Sequence, residues 1–197
     1  MTPQTYIFIG RSGCGKGTQA DLLRKVLAEK SSEIPITYME TGKLFRDFVM
    51  GQSYSQRLSK AINKEGGLQP EFLTIHLWSD FFVKNLTNNT HLITDGTPRK
   101  INEAKVLNTA FEFYKREKPH VIFINVSRAW SKERMLARER EDDKEVDIEA
   151  RLDWYETEVV PTIDYYRNNP LYIFHDVNGE RSIPEIHTDI VKMIGLV

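Results

Sequence analysis

The 197-residue chain contains one cysteine, Cys14. That excludes an intramolecular disulfide framework and any zinc site built from several cysteines. Charge of either sign is not in surplus: 27 Lys and Arg face 28 Asp and Glu, for a formal net charge of −1. A surface that gathers nucleic acid or anionic lipid needs a basic excess, so neither partner is expected. Anion binding must instead come from local clusters. No apolar run approaches the ~18 residues of a membrane span, and the first residues lack the basic-then-apolar design of a secretory signal. A cytoplasmic protein is the expectation. Internal repeats, low-complexity tracts and interdomain linkers are also missing, so residues 1–197 read as one domain. His76, His91, His120, His175 and His187 are scattered without metal-ligand spacing and read as structural or surface residues.

What is present is alternation. Short β-branched or apolar runs recur at Tyr6–Ile9, Ile36–Met39, Leu92–Thr94, Val121–Val126 and Leu171–Phe174. Helical patterns separate them at Lys16–Lys30, Pro70–Asn88, Ile101–Arg116, Lys132–Glu139, Ile148–Asn168 and Ile183–Ile194. Strands alternating with helices predict a doubly wound parallel sheet covered on both faces. One connection is too long. Between Met39 and Leu92 lie about fifty residues, more than one crossover helix needs. The excess, 42–70, carries helical patterns of its own and ends in Gly66-Gly67, so it predicts a helical arm at the carboxyl edge of the sheet, where such folds bind ligands.

Gly10, Gly13, Gly15 and Gly17 fall between the first strand and the first helix. Without side chains, successive backbone N–H groups can converge on an anion, and the helix N-terminus adds its dipole. Lys16 supplies a mobile positive charge for terminal phosphates. A purely structural glycine turn would need neither the lysine nor the strand–turn–helix frame. The run "GRSGCGKGTQ" departs from G-x-x-x-x-G-K-[ST] in its last letter, since Gly17 follows Lys16 and Thr18 comes one place late. This ending resembles the nucleoside-monophosphate kinases, and the adenylate kinase family in particular. Two further segments are similar to that family: "TGKLFR" after the second strand and "ITDGTPR" after the third. So is Ser131–Tyr155, in which Arg138 and Arg140 precede an acidic pair and Arg151 follows on the next helix.

The resemblance implies a P-loop kinase fold with a monophosphate-binding arm at 41–70 and a very short lid at 138–143. It also implies phosphoryl transfer between ATP and AMP, giving two ADP. Catalytic charge stabilisation would come from Lys16, Arg99, Arg138, Arg140 and Arg151. ATP would be bound by Gly13, Cys14, Gly15, Lys16, Gly17, Thr18, Arg134, Arg138 and Arg181. The implied AMP site comprises Thr41, Gly42, Arg46, Gly67, Leu68, Gln69, Gly96, Thr97, Pro98, Arg99, Glu103, Arg140 and Arg151. Mg²⁺ would be held through water near Thr18 and Asp95, in a monomer. Arginine suits these roles because its fork matches phosphate oxygens bidentately.

Several positions depart from the family pattern. Ser12 stands where a proline is usual, and Arg181 lies near a usual glycine. Only Glu139 separates Arg138 from Arg140, so the lid is shorter than in other short-lid members. Cys14, at a helix N-terminus beside Lys16, is expected either to be a reactive thiolate or to be a small filler. Glu103 stands where adenylate kinases place a glutamine. An amide can both donate to and accept from adenine, whereas a carboxylate only accepts, so GMP or UMP/CMP remain alternative acceptors. Glu103 protonating, or turning aside, would keep AMP. A catalytically idle nucleotide-binding module is the other alternative.

Overall fold

A computed structural model describes residues 2–138 and 145–196. In chain order the elements begin with β1 (Thr5–Ile9), α1 (Lys16–Lys30), β2 (Ile36–Glu40), α2 (Thr41–Phe48), α3 (Tyr54–Lys64) and α4 (Glu71–Asn85). They continue with β3 (His91–Asp95), α5 (Ile101–Phe113), β4 (His120–Asn125), α6 (Arg128–Ala137) and α7 (Glu145–Trp154). A π-helical turn (Tyr155–Val159) then leads directly into α8 (Val160–Arg167), β5 (Ile173–Asn178) and α9 (Ile183–Met193).

The strands form a parallel sheet in the order β2-β3-β1-β4-β5. Alternate residues of β1 explain why both faces must be covered. Tyr6 and Phe8 pack with Leu23 and Leu27 of α1 and Ile186 and Ile190 of α9. Ile7 and Ile9 pack with Trp78 and Phe82 of α4, Leu107 and Phe111 of α5, and Ile163 and Tyr166 of α8. A strand apolar on both sides can be satisfied only between two helical layers. The doubly wound expectation is met.

Element boundaries differ from the sequence pattern where local hydrogen bonds decide. Helix α6 starts at Arg128, earlier than Lys132, because the Ser127 hydroxyl accepts from the Trp130 N–H at 3.2 Å and caps it. The last strand begins at Ile173, not Leu171. A turn in which Tyr172 N–H donates to the Asn169 carbonyl uses up the intervening residues, and pairing begins with His120 opposite Ile173. The single helix expected over Ile148–Asn168 is interrupted by the π turn, where Val160 N–H reaches back to the Tyr155 carbonyl. Pro161, next in line, has no N–H to continue an α-helical ladder.

The long connection does carry two helices, α2 and α3, between β2 and α4. Ser53 and Gln56 form a reciprocal cap at the start of α3. Gly66 ends the excursion with φ +64°, and a Cβ there would lie 2.7 Å from the backbone of Asp147. The chain can pass that close to α7 only as glycine.

At the base of the sheet, His120 Nδ1 lies 2.9 Å from His175 Nε2, so one proton serves both rings. Burial, and then the neighbouring His175, pushes the His120 pKa down to about 4; burial lowers that of His175 as well. The unfolded chain therefore takes up protons below about pH 6.5 that the folded chain refuses until about pH 4. Stability contributed by the neutral pair is present above that window and lost as pH falls through it. Urea unfolding at pH 7 and pH 5 should show a loss of about 1–3 kcal/mol that the double variant His120→Gln, His175→Gln does not share.

Candidate active site

The chain leaves β1 at Ile9 and enters α1 at Lys16 through the glycine-rich turn. Gly10 (φ +147°) lies so close to β4 that a Cβ would sit 2.5 Å from the Ile124 carbonyl oxygen. Gly15, the residue before α1, has φ +96° with nothing within 4 Å of a Cβ. Its constraint is conformational, and it turns the first N–H groups of α1 toward open space. The Lys16 ammonium donates to the carbonyls of Gly10 (2.9 Å) and Arg11 (2.7 Å), which holds it against the loop.

Cys14 is 1 % exposed and belongs to the core layer beneath the loop. Burial raises its thiol pKa by more than the Lys16 charge lowers it. The expectation of a reactive thiolate is therefore corrected: desolvation outweighs the helix terminus and the ammonium, and Cys14 is the small filler.

The neighbouring strand ends supply the acidic side. Asp95 ends β3, in register with Phe8 on one side and Glu40 on the other. It is buried, and its Oδ2 accepts from the Tyr38 hydroxyl at 3.3 Å. Burial raises its pKa while Lys16 pulls it back. Just beyond, Arg99 Nε donates to the Gly96 carbonyl at 3.0 Å, and its guanidinium lies 5.3 Å from the Trp154 ring centre. Burial lowers the Arg99 pKa, opposed by Glu103 and Asp95. Arg46, on α2, pairs with Glu40 at 2.6 Å.

These groups face one cleft of about 1060 Å³. Gly13, Cys14, Gly15, Lys16, Gly17 and Thr18 line it from the loop, and Asp95, Gly96 and Arg99 from β3 and its exit. Gly42, Arg46, Gly67 and Gln69 close the side of the long connection, while Arg134, Arg138, Arg151 and Arg181 come from α6, α7 and the entry to α9. A smaller cavity of about 30 Å³ continues below, bounded by Lys16, Pro98, Arg99 and Trp154.

Not every expected residue converges there. Thr41 is buried, and its hydroxyl has no hydrogen-bond partner among the described residues. Leu68 and Thr97 are not among the lining residues. The Gln69 amide is committed to Ser59 and Asn63. Glu103 does not line the cleft: it is buried, and its carboxylate accepts from the Arg99 N–H at 2.7 Å, at the entry to α5. Arg140 lies outside the described residues, as does 139–143 of the expected lid.

The lining residues not singled out from the sequence include Tyr38, Glu40, Trp130 and Trp154. Tyr38 and Glu40 could have been found from the two-residue period of β2 next to Thr41. Trp130 and Arg134 are four apart, and the guanidinium stacks 4.8 Å from the ring centre.

The model of the family described as adenylate kinase matches residues 8–171 of this chain. The chain belongs to the adenylate kinase family. Its curated relatives include the adenylate kinase of Rickettsia akari, 28% identical over 220 aligned positions that cover 95% of this chain and 97% of the relative. The Rickettsia africae adenylate kinase is 29% identical with the same coverage. That of Clostridium acetobutylicum is 28% identical, covering 96% of this chain and 98% of its own. Alignments of 220 positions against 197 residues mean that these adenylate kinases carry segments this chain lacks. No helix among the described residues is long and apolar enough to cross a membrane.

Burial of Cys14 has a direct chemical readout. A small thiol reagent at pH 8 should label the native protein at least about 100-fold more slowly than the urea-unfolded chain, since attack needs an exposed thiolate. Comparable rates in the two states would contradict the burial.

Proposed function

We propose that the protein catalyses reversible Mg²⁺-dependent transfer of the ATP γ-phosphoryl group to AMP, giving two ADP. The observation that carries this reading is convergence: a backbone anion cradle with Lys16 and arginines from four parts of the fold, Arg46 of α2, Arg99 beyond β3, Arg134 and Arg138 at the end of α6, and Arg151 of α7, line one cleft. A nucleotide-binding module needs the cradle. Cations reaching the same space from the opposite side are what a second phosphorylated substrate requires.

In this reading the loop 13–18 holds the donor phosphates through backbone N–H groups, and Lys16 leaves its carbonyl partners for the terminal phosphates. Arg134, Arg138 and Arg181 flank the donor, while Arg46 and Arg99 grip the acceptor phosphate within an arm formed by 41–70. An oxygen of that phosphate attacks the γ-phosphorus, the bond to the β–γ bridging oxygen breaks, and no covalent enzyme intermediate forms. Charge spreading over the transferred group is met by Lys16, Arg99, Arg138, Arg140 and Arg151. The lid over 138–143 is minimal, with only Glu139 between Arg138 and Arg140.

The residues present fit a magnesium ion carried in with the nucleotide. Asp95 offers a buried carboxylate whose Oδ2 lies 3.4 Å from an ideal Cβ at Gly17, and Thr18 offers a hydroxyl on the cleft wall. No group of three ligating side chains occurs among the described residues, which suits a cation held mainly by phosphate and water. Bound there, it would neutralise phosphate charge.

AMP is favoured over other bases because the Glu103 carboxylate is occupied by the Arg99 N–H and need not face the base. The near-neutral charge supports small nucleotides, not nucleic acid, as partners, and we read the protein as a cytoplasmic monomer.

A panel of AMP, GMP, CMP and UMP at fixed ATP tests the assignment, with AMP expected fastest. Faster turnover of another monophosphate would move the base assignment, and ATP binding without any turnover would favour an idle module. Lys16→Ala and Arg99→Ala, folded by circular dichroism, should each lower kcat about 10²–10³-fold, or about 3–4 kcal/mol. A near-normal rate in either would remove its role.

A further inference from the structure

Trp154 closes α7 at a point where three parts of the molecule meet. Its indole N–H donates to the Gly66 carbonyl at 3.1 Å, across 88 residues of chain. Gly66 is itself pressed against α7, with room for no Cβ beside Asp147, so the return end of the long connection is rooted on this helix. The face of the same ring carries the Arg99 guanidinium. Arg99 spends its Nε on the Gly96 carbonyl. Among the described residues its two terminal nitrogens make no hydrogen bond, so they remain available to a phosphate. Trp154 borders both the cleft and the small cavity below it.

We propose that Trp154 is a positioning residue for the acceptor, setting the distance between the two halves of its site. One edge of the indole fixes Gly66, the neighbour of Gly67, which the family resemblance assigns to the AMP site. The ring face fixes Arg99, which the reading above places on the acceptor phosphate. A cation stacked on a half-buried ring and a backbone carbonyl tied to its N–H both depend on one rigid side chain. Neither Gly66 nor Arg99 is assigned to ATP binding, so ATP affinity is spared. The inference rests on the proposed kinase reading.

Trp154→Phe keeps the ring face and removes the N–H; Trp154→Leu removes both. Calorimetric titration with AMP, GMP, CMP and UMP identifies the monophosphate that the wild type binds best. Its Kd should rise about 5–20-fold in Trp154→Phe, as loss of one partly buried hydrogen bond implies, with ATP affinity within about two-fold of wild type. In steady-state assays the same variant should raise KM for that acceptor with kcat little changed, whereas Trp154→Leu should also lower kcat about ten-fold or more.

Unchanged acceptor affinity in a folded Trp154→Phe would overturn the inference alone. Equal weakening of ATP and acceptor would overturn it in favour of a general packing role. A wild type that binds no monophosphate would overturn the kinase reading and this inference together.

Discussion

Parallel pairing of β1 with both β3 and β4 governs what the rest of the molecule can do. It brings Ile9, Asp95 and Asn125 to one edge of the sheet. The chain from β1 passes to β2 on one side, and the chain from β3 passes to β4 on the other, so a crevice opens where these paths diverge. The glycine turn drops into that crevice because Gly10 can touch the Ile124 carbonyl. From there the N-terminus of α1, the buried Asp95 carboxylate and Lys16 have little freedom left. The ammonium and the carboxylate moderate one another: without Lys16 nearby, burial would favour a neutral Asp95 still more strongly.

The arginines around this centre are not equivalent. Arg99 is half-buried and lies against an aromatic ring, and the desolvation that lowers its pKa strengthens its charge toward a bound anion. Arg46 and Arg181 are partly exposed and paired with Glu40 and Asp189. Pairs of that kind contribute about 0–1 kcal/mol to stability. Their value is to hold long side chains near the cleft while keeping the overall charge close to neutral. A phosphate approaching Arg46 has to share it with Glu40.

The sequence made the layers, the long helical connection and the phosphate loop legible, because each rests on local periodicity or on glycine spacing. The arginines could be enumerated by the same means. Their convergence could not, since it depends on how α2, α6 and α7 are placed around the sheet edge. Cys14 shows the limit of local electrostatic cues: its neighbours in sequence favour a thiolate, but the core layer beneath it decides otherwise. Glu103 is similar. Its position suggested a base contact, and a backbone N–H only four residues away claims its carboxylate. Trp154 was invisible for the opposite reason, since its partner Gly66 is far away in sequence.

The π turn at Tyr155–Val159 has a geometric consequence for that helix. One extra residue in a helical turn advances the side-chain phase by about 100° relative to an unbroken α-helix. Residues before the turn and residues after it therefore obey two different angular settings on one continuous rod. Arg151 and Trp154 can face the cleft while Ile163 and Tyr166, farther along, face the hydrophobic layer.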